Sequence, residues 1–266
     1  MVIFFYRIDE FKQLESKVDK ITTFINEILQ DTTLLLISNI SFIFIIWSRI
    51  KTELMPLNIR FDKFKPLDIT WSRGEIESIL NLQLNFFSSG KISINDIIKD
   101  DNEYNIIIDV SNNSPRDLFR LLSCIYDEQF NDNLKSNFFE SKNILIGIDK
   151  FIKNYNFYSL YPAKKGTRED IYNVINEILS LSLNEFTVTD IMRVRKIAQQ
   201  TAISHLKTMK NYNLIQDITD TRNYKVVDPK ILYLIKNNCN SDTTAPKLSN
   251  NSGKLKIIVT YKLKSI

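Results

Sequence analysis

Residues 198–215 read AQQTAISHLKTMKNYNLI, and this stretch decides how the rest of the chain is read. Ala202, Leu206 and Met209 recur at spacings of four and three, which marks one buried face of an α-helix. The positions off that stripe, Gln199, Gln200, Thr201, Ser204 and Lys207, carry amides, hydroxyls and an ammonium on the outward side, and Lys210 adds a further cation. Amides and hydroxyls are the groups that reach base edges in a DNA groove, and lysine serves the phosphates. Asn213 stands before Leu214 and Ile215 where glycine is usual, and asparagine is the next-best residue for a left-handed helix end. His205 lies beside the apolar stripe and reads as a half-buried packing residue.

Working outward, IYNVINEILSLSLNEF places Ile171, Val174, Ile175, Ile178 and Leu179 on one helical face, and TVTDIMRVRK begins a second helix at Thr187. Beyond the third helix, LIQDI and NYKVV flank the polar turn TDTR, with Tyr224 and Val226 alternating against Lys225, the pattern of a hairpin. Between Thr187 and Val227, Arg193, Arg195, Lys196, Lys207, Lys210, Arg222 and Lys225 outweigh Asp190, Asp217 and Asp220, a balance suited to a phosphate backbone. Three helices followed by a two-stranded wing resemble the winged-helix form of the helix-turn-helix, with residues 198–215 as its recognition helix. The resemblance implies duplex DNA as partner, contacted by Gln199, Gln200, Thr201, Ser204, Lys207, Lys210, Arg222 and Lys225. In ATPases such a terminal module also serves as a protein-interaction or lid-stacking surface, so a protein partner or self-association stays open.

Composition sets outer limits. The chain has 266 residues, 44% hydrophobic and 25% charged, enough for two domains with real cores. A net charge of +4 permits an anionic partner without the excess of a histone-like protein. Cys124 and Cys239 give neither a disulfide framework nor zinc-ligand spacing, so a reducing cytoplasm is the expected setting. With one histidine, metal clusters are not expected. The most apolar run, TLLLISNISFIFIIW, is interrupted by Ser38, Asn39 and Ser41 and is rich in β-branched and aromatic residues, which predicts a fully buried parallel strand, not a membrane span.

The N-terminal stretch VIFFYRIDEF reads as another buried strand, ending at Asp9 and Glu10. Between the two, Leu14, Val18, Ile21, Ile25 and Ile28 mark an amphipathic crossover helix, so the opening is a βαβ unit with its sheet covered on both faces. Pro56 and Pro66 then divide the chain into short extended pieces before a helix capped by Ser72 and Glu75.

This order of parts is similar to the C-terminal half of AAA+ and STAND-like P-loop ATPases. VIFFYRIDEF resembles a degraded Walker B strand in which Tyr6 takes the place of the first acid, and the strand ending IIWSR would bring Arg49 to the sensor-1 position. The stretch from Trp71 to Leu80 resembles the lid start, and NNSPRDLFRLL the lid motif that carries a sensor-2 arginine, here Arg116. What the resemblance implies is a vestigial nucleotide site of Asp9, Glu10, Arg49 and Arg116. SPRD has a plainer explanation too: Ser114 as N-cap, Pro115 at the first helical position and Asp117 closing a capping box start a helix without any nucleotide.

The phosphate-cradling pattern G-x-x-x-x-G-K-[ST] does not occur among the five glycines, so the opening looks like the middle of an ATPase whose first half is missing. No catalytic residue and no bound cofactor are expected for the chain alone; ATP and Mg²⁺ enter only if that half is supplied. The tail from Cys239 reads as a Ser/Asn/Thr-rich linker and one edge-type strand, KLKIIVTYKLK, whose partner is the wing or another chain. The expected architecture is α/β followed by mainly α: a partial P-loop-like parallel sheet over residues 1–68, a helical lid over 69–160, a winged helix over 161–237, and a linker with its strand over 238–266. Its expected role is a non-catalytic ATPase-like remnant whose module binds DNA or a partner; an ATPase complemented by its missing half and a stand-alone winged-helix transcriptional regulator are the alternatives.

Overall fold

The computed structural model describes residues 1–6, 8, 18–31, 33, 36–46, 48–57, 59, 61, 66–157, 171–212, 214–219, 221–238, 248–251 and 254–257. The chain is mostly helical, with a small parallel sheet, and divides into two compact units: residues 1–69 with 157–169, and residues 70–156 with 170–266.

In the first unit, β1 (Val2–Phe5) and β2 (Ser41–Phe44) pair in parallel, Val2 opposite Ser41 and Phe5 opposite Phe44. The crossover between them contains α1 (Val18–Gln30), which buries Val18, Ile21 and Ile25 as its spacing predicts. The chain then forms α2 (Ser48–Leu54) and a 3₁₀ turn (Met55–Leu57). The core gathers Ile8, Val18, Ile21, Ile25, Ile50, Leu54 and Ile59, with Phe5 stacked on Phe44 at 4.7 Å beside it.

Two expectations fail here. The strands are not covered on both faces: alternate residues pack inward, while Val2, Phe4, Ile43 and Ile45 stay 41–61% exposed. The two strands among the described residues make a sheet too narrow for helices to sandwich, so the apolar run that sequence reads as buried on both sides is buried on one. Residues 48–57 are helical, not extended; Pro56 falls in the 3₁₀ turn after α2 and so ends the helix without preventing it.

The second unit opens with α3 (Arg73–Ser88), whose Ser72–Glu75 capping box is complete and whose chain reverses through Ser89 and Gly90 at φ of 54° and 74°. After the single turn α4 (Ile94–Ile97) comes α5 (Asp101–Ser111), tied to α3 by Arg73, which bonds both Glu77 and Asp109. Helices α6 (Pro115–Asp132) and α7 (Ser141–Lys153) pack so closely that a Cβ on Gly147 would lie 2.6 Å from the Ile125 Cα. Ser114 caps α6 by accepting from the Asp117 N–H. Only that half of the expected capping box forms, because the Asp117 carboxylate turns inward to accept the Tyr155 hydroxyl at 2.7 Å.

Helix α8 (Ile171–Leu181) buries Ile171, Val174, Ile175, Ile178 and Leu179, as expected. It leads into β3 (Glu185–Phe186), α9 (Val188–Arg195), α10 (Gln199–Asn211), β4 (Ile215–Asp217), β5 (Tyr224–Val226) and α11 (Pro229–Asn238). β3 and α11 went unread in the sequence. The three short strands form an antiparallel sheet in the order β3-β5-β4. In the tail, β6 (Leu248–Asn251) and β7 (Lys254–Ile257) pair as a hairpin, so part of the expected linker partners the start of the expected strand, whose remainder, 258–264, lies outside the described residues.

Candidate nucleic-acid interface

Helix α9 starts at Thr187, whose hydroxyl accepts from the Asp190 N–H while the Asp190 carboxylate accepts from the Thr187 N–H at 2.9 Å. The Thr187 N–H foremost, and the Thr187 hydroxyl that donates to the same carboxylate at 2.8 Å, hold the Asp190 carboxyl below its ordinary value of 3.8. The helix ends on Lys196 in the left-handed conformation, φ 54°, and two residues later Ala198 opens α10 with no side chain capping its first N–H groups.

The orientation of α10 follows from its stripe. Ala202, Leu206 and Met209 are buried, at most 3% exposed, against the three-helix core. Gln199, Gln200, Thr201, Ser204 and Lys207 are therefore exposed, as the spacing predicted. A buried carboxylate ties this helix to α8. Glu177 on α8, buried amid apolar neighbours, bonds His205 Nδ1 at 2.6 Å and lies 3.9 Å from Arg195 Nε. His205 is thus the half-buried packing residue expected of it, and Glu177 is its missed partner. The only signal in the sequence was an acid set inside an apolar helical stripe.

The β4–β5 hairpin presents Gln216 and Lys225 opposite one another, with Glu185 of β3 on the other side of Lys225. Arg222 is exposed in the connecting turn. The cations sort into two groups. Arg193 pairs with Asp190 at 2.8 Å, Arg195 approaches Glu177, and Lys210 holds Asp217 at 2.6 Å while lying 4.9 Å from the Tyr224 ring. Lys207, Arg222, Lys225 and Lys196 are exposed and have no ion-pair partner among the described residues. Lys210, expected as a DNA contact, is thus engaged within the fold.

The residues of the vestigial nucleotide site are not brought together by anything described. Asp9 and Glu10 lie outside the described residues, as does Asn213. Arg49 is in α2, with its side chain undescribed, and Arg116 is exposed in the first turn of α6, in the other compact unit, without a partner among the described residues. Tyr6 is 57% exposed. Among the described residues no group of three or more His, Cys, Asp or Glu could hold a metal ion, and no helix is long and apolar enough to cross a membrane.

No family model matches the chain, and no curated protein matches it. Among solved structures, Cdc6p from Pyrobaculum aerophilum is similar at 12% identity and a TM-score of 0.35, over 82% of this chain and 63% of that one. The chain thus spans less than two thirds of that structure's length.

Proposed function

We propose that residues 171–238 are a winged-helix module that binds duplex DNA, carried by a chain whose N-terminal part is a non-catalytic P-loop-ATPase-like remnant. The observation that carries this reading is the two-sidedness of α10: Ala202, Leu206 and Met209 are buried while Gln199, Gln200, Thr201, Ser204 and Lys207 face solvent. The strand order β3-β5-β4 supports it, since it sets a hairpin with exposed Arg222 and Lys225 after that helix. Amides and hydroxyls address base edges; Lys207, Arg222 and Lys225 address phosphates and fix register. The test is duplex binding by the full chain. Lys207→Ala and Arg222→Ala weaken binding across all sequences and each lower the salt slope by about 1, whereas Gln200→Ala relaxes preference at one base position. Binding that ignores all three substitutions points to a protein partner instead.

The residues do not fit Mg²⁺-ATP. A phenol at Tyr6 cannot ligate Mg²⁺ as a carboxylate does, and no glycine-rich loop surrounds a lysine to cradle phosphates. The chain alone accordingly takes up no nucleotide, which calorimetry with Mg²⁺-ATP checks; micromolar binding would restore the enzyme reading. One observation favours a complemented ATPase as the second reading: the uncovered face of Val2, Phe4, Ile43 and Ile45 is what a parallel sheet leaves when further layers come from elsewhere.

A further inference from the structure

Lys196 closes α9 in a backbone conformation that suits glycine. Its φ of 54° is left-handed, a region that costs a residue with a Cβ more than it costs glycine. The side chain gives nothing back to the fold: it is exposed and has no hydrogen bond or ion pair among the described residues. Its neighbours behave differently, since Arg193 is held by Asp190 and Arg195 leans on Glu177. The turn therefore carries an ammonium with no partner among the described residues, just ahead of Gln199 and Gln200, on a backbone that a smaller residue would satisfy better.

We infer that Lys196 is a DNA-contacting residue, placing its ammonium on a phosphate beside the start of α10. The inference rests on the DNA-binding reading and adds a contact to it. Lys196, Lys207, Arg222 and Lys225 then form the set of free cations, spread over the turn, the helix and the hairpin, while Lys210 stays with Asp217. A phosphate ligand in the turn fixes how far α10 enters the groove and carries no sequence information itself.

The test uses the full chain with Lys196→Asn, Lys196→Gly and Lys196→Arg, measured by fluorescence anisotropy on a mixed-sequence 20-base-pair duplex and by thermal melting. Asparagine and glycine accept the left-handed backbone without the charge; arginine keeps the charge. Lys196→Asn and Lys196→Gly are expected to bind up to about tenfold more weakly near 0.1 M salt, with the salt slope lower by about 1 and the melting midpoint unchanged or raised. Lys196→Arg is expected to bind like the unaltered protein. If the unaltered protein binds and Lys207→Ala weakens it while Lys196→Asn does not, this inference is overturned and the DNA reading stands. If Lys196→Asn lowers affinity and midpoint together, the residue is structural and the inference is again overturned. If the unaltered protein does not bind the duplex at all, both fall.

Discussion

Lys230 is fully buried, its ammonium 3.3 Å from an Asp117 oxygen and 4.4 Å from the centre of the Tyr155 ring. The ion pair satisfies the charge, yet Nζ makes no hydrogen bond of good geometry among the described residues, so its attraction to the carboxylate and to the Tyr155 and Phe151 rings is what offsets desolvation. Such a pair resists the loss of one partner far more than the loss of both. Asp117→Ala is expected to cost about 3–5 kcal/mol by urea denaturation, because it strands the ammonium. Asp117→Asn combined with Lys230→Met should cost clearly less, and equal losses would mean the charges do not interact. Sequence offered no route to this cluster: Asp117 reads there as half of a capping box, and nothing in the spacing around Lys230 marks it as buried.

Among the elements, the tightest fit is between α6 and α7. Gly147→Ala must push α7 off the Ile125 backbone, and overpacking of that kind costs about 1–3 kcal/mol, seen as a lowered thermal midpoint. The cap of α9 makes a pH prediction. Because the Asp190 carboxyl is held below 3.8 in the fold, its contribution is complete at higher pH and is lost as pH falls through the folded-state value. The stability gap between the unaltered protein and Asp190→Asn should therefore close on acidification below about pH 4 and stay constant above about pH 6. Elements with a strong period were legible: α1, α8, α9, α10 and the β4–β5 hairpin all follow from spacing and caps. The β1–β2 sheet was legible in direction but not in burial, since apolar runs report what a strand prefers to touch and not whether a second layer exists. The two-residue β3 is too short to leave a period, and α2 was hidden by Pro56, which sequence reads as a breaker of what precedes it. In the candidate interface, exposure on α10 followed from spacing, whereas the division between engaged and free cations depends on three-dimensional pairing that spacing does not encode.

At the scale of the molecule, residues 70–156 and 170–266 are one compact unit, so the candidate DNA-binding segment is not a bead on a string. Lys230 of α11 meets Asp117 of α6 inside that unit. Asp117→Ala should accordingly raise hydrogen exchange in α6 and in α8–α11 together, and a rise confined to α6 would contradict the shared core. The central claim is that free cations on α10 and around it meet a phosphate backbone. The most direct measurement is the affinity of the full chain for a duplex at a series of salt concentrations. Lys196, Lys207, Arg222 and Lys225, without ion-pair partners among the described residues, predict a plot of log K against log salt with a slope of about −3 to −4. A slope near zero, or no binding at about 50 mM salt, contradicts it.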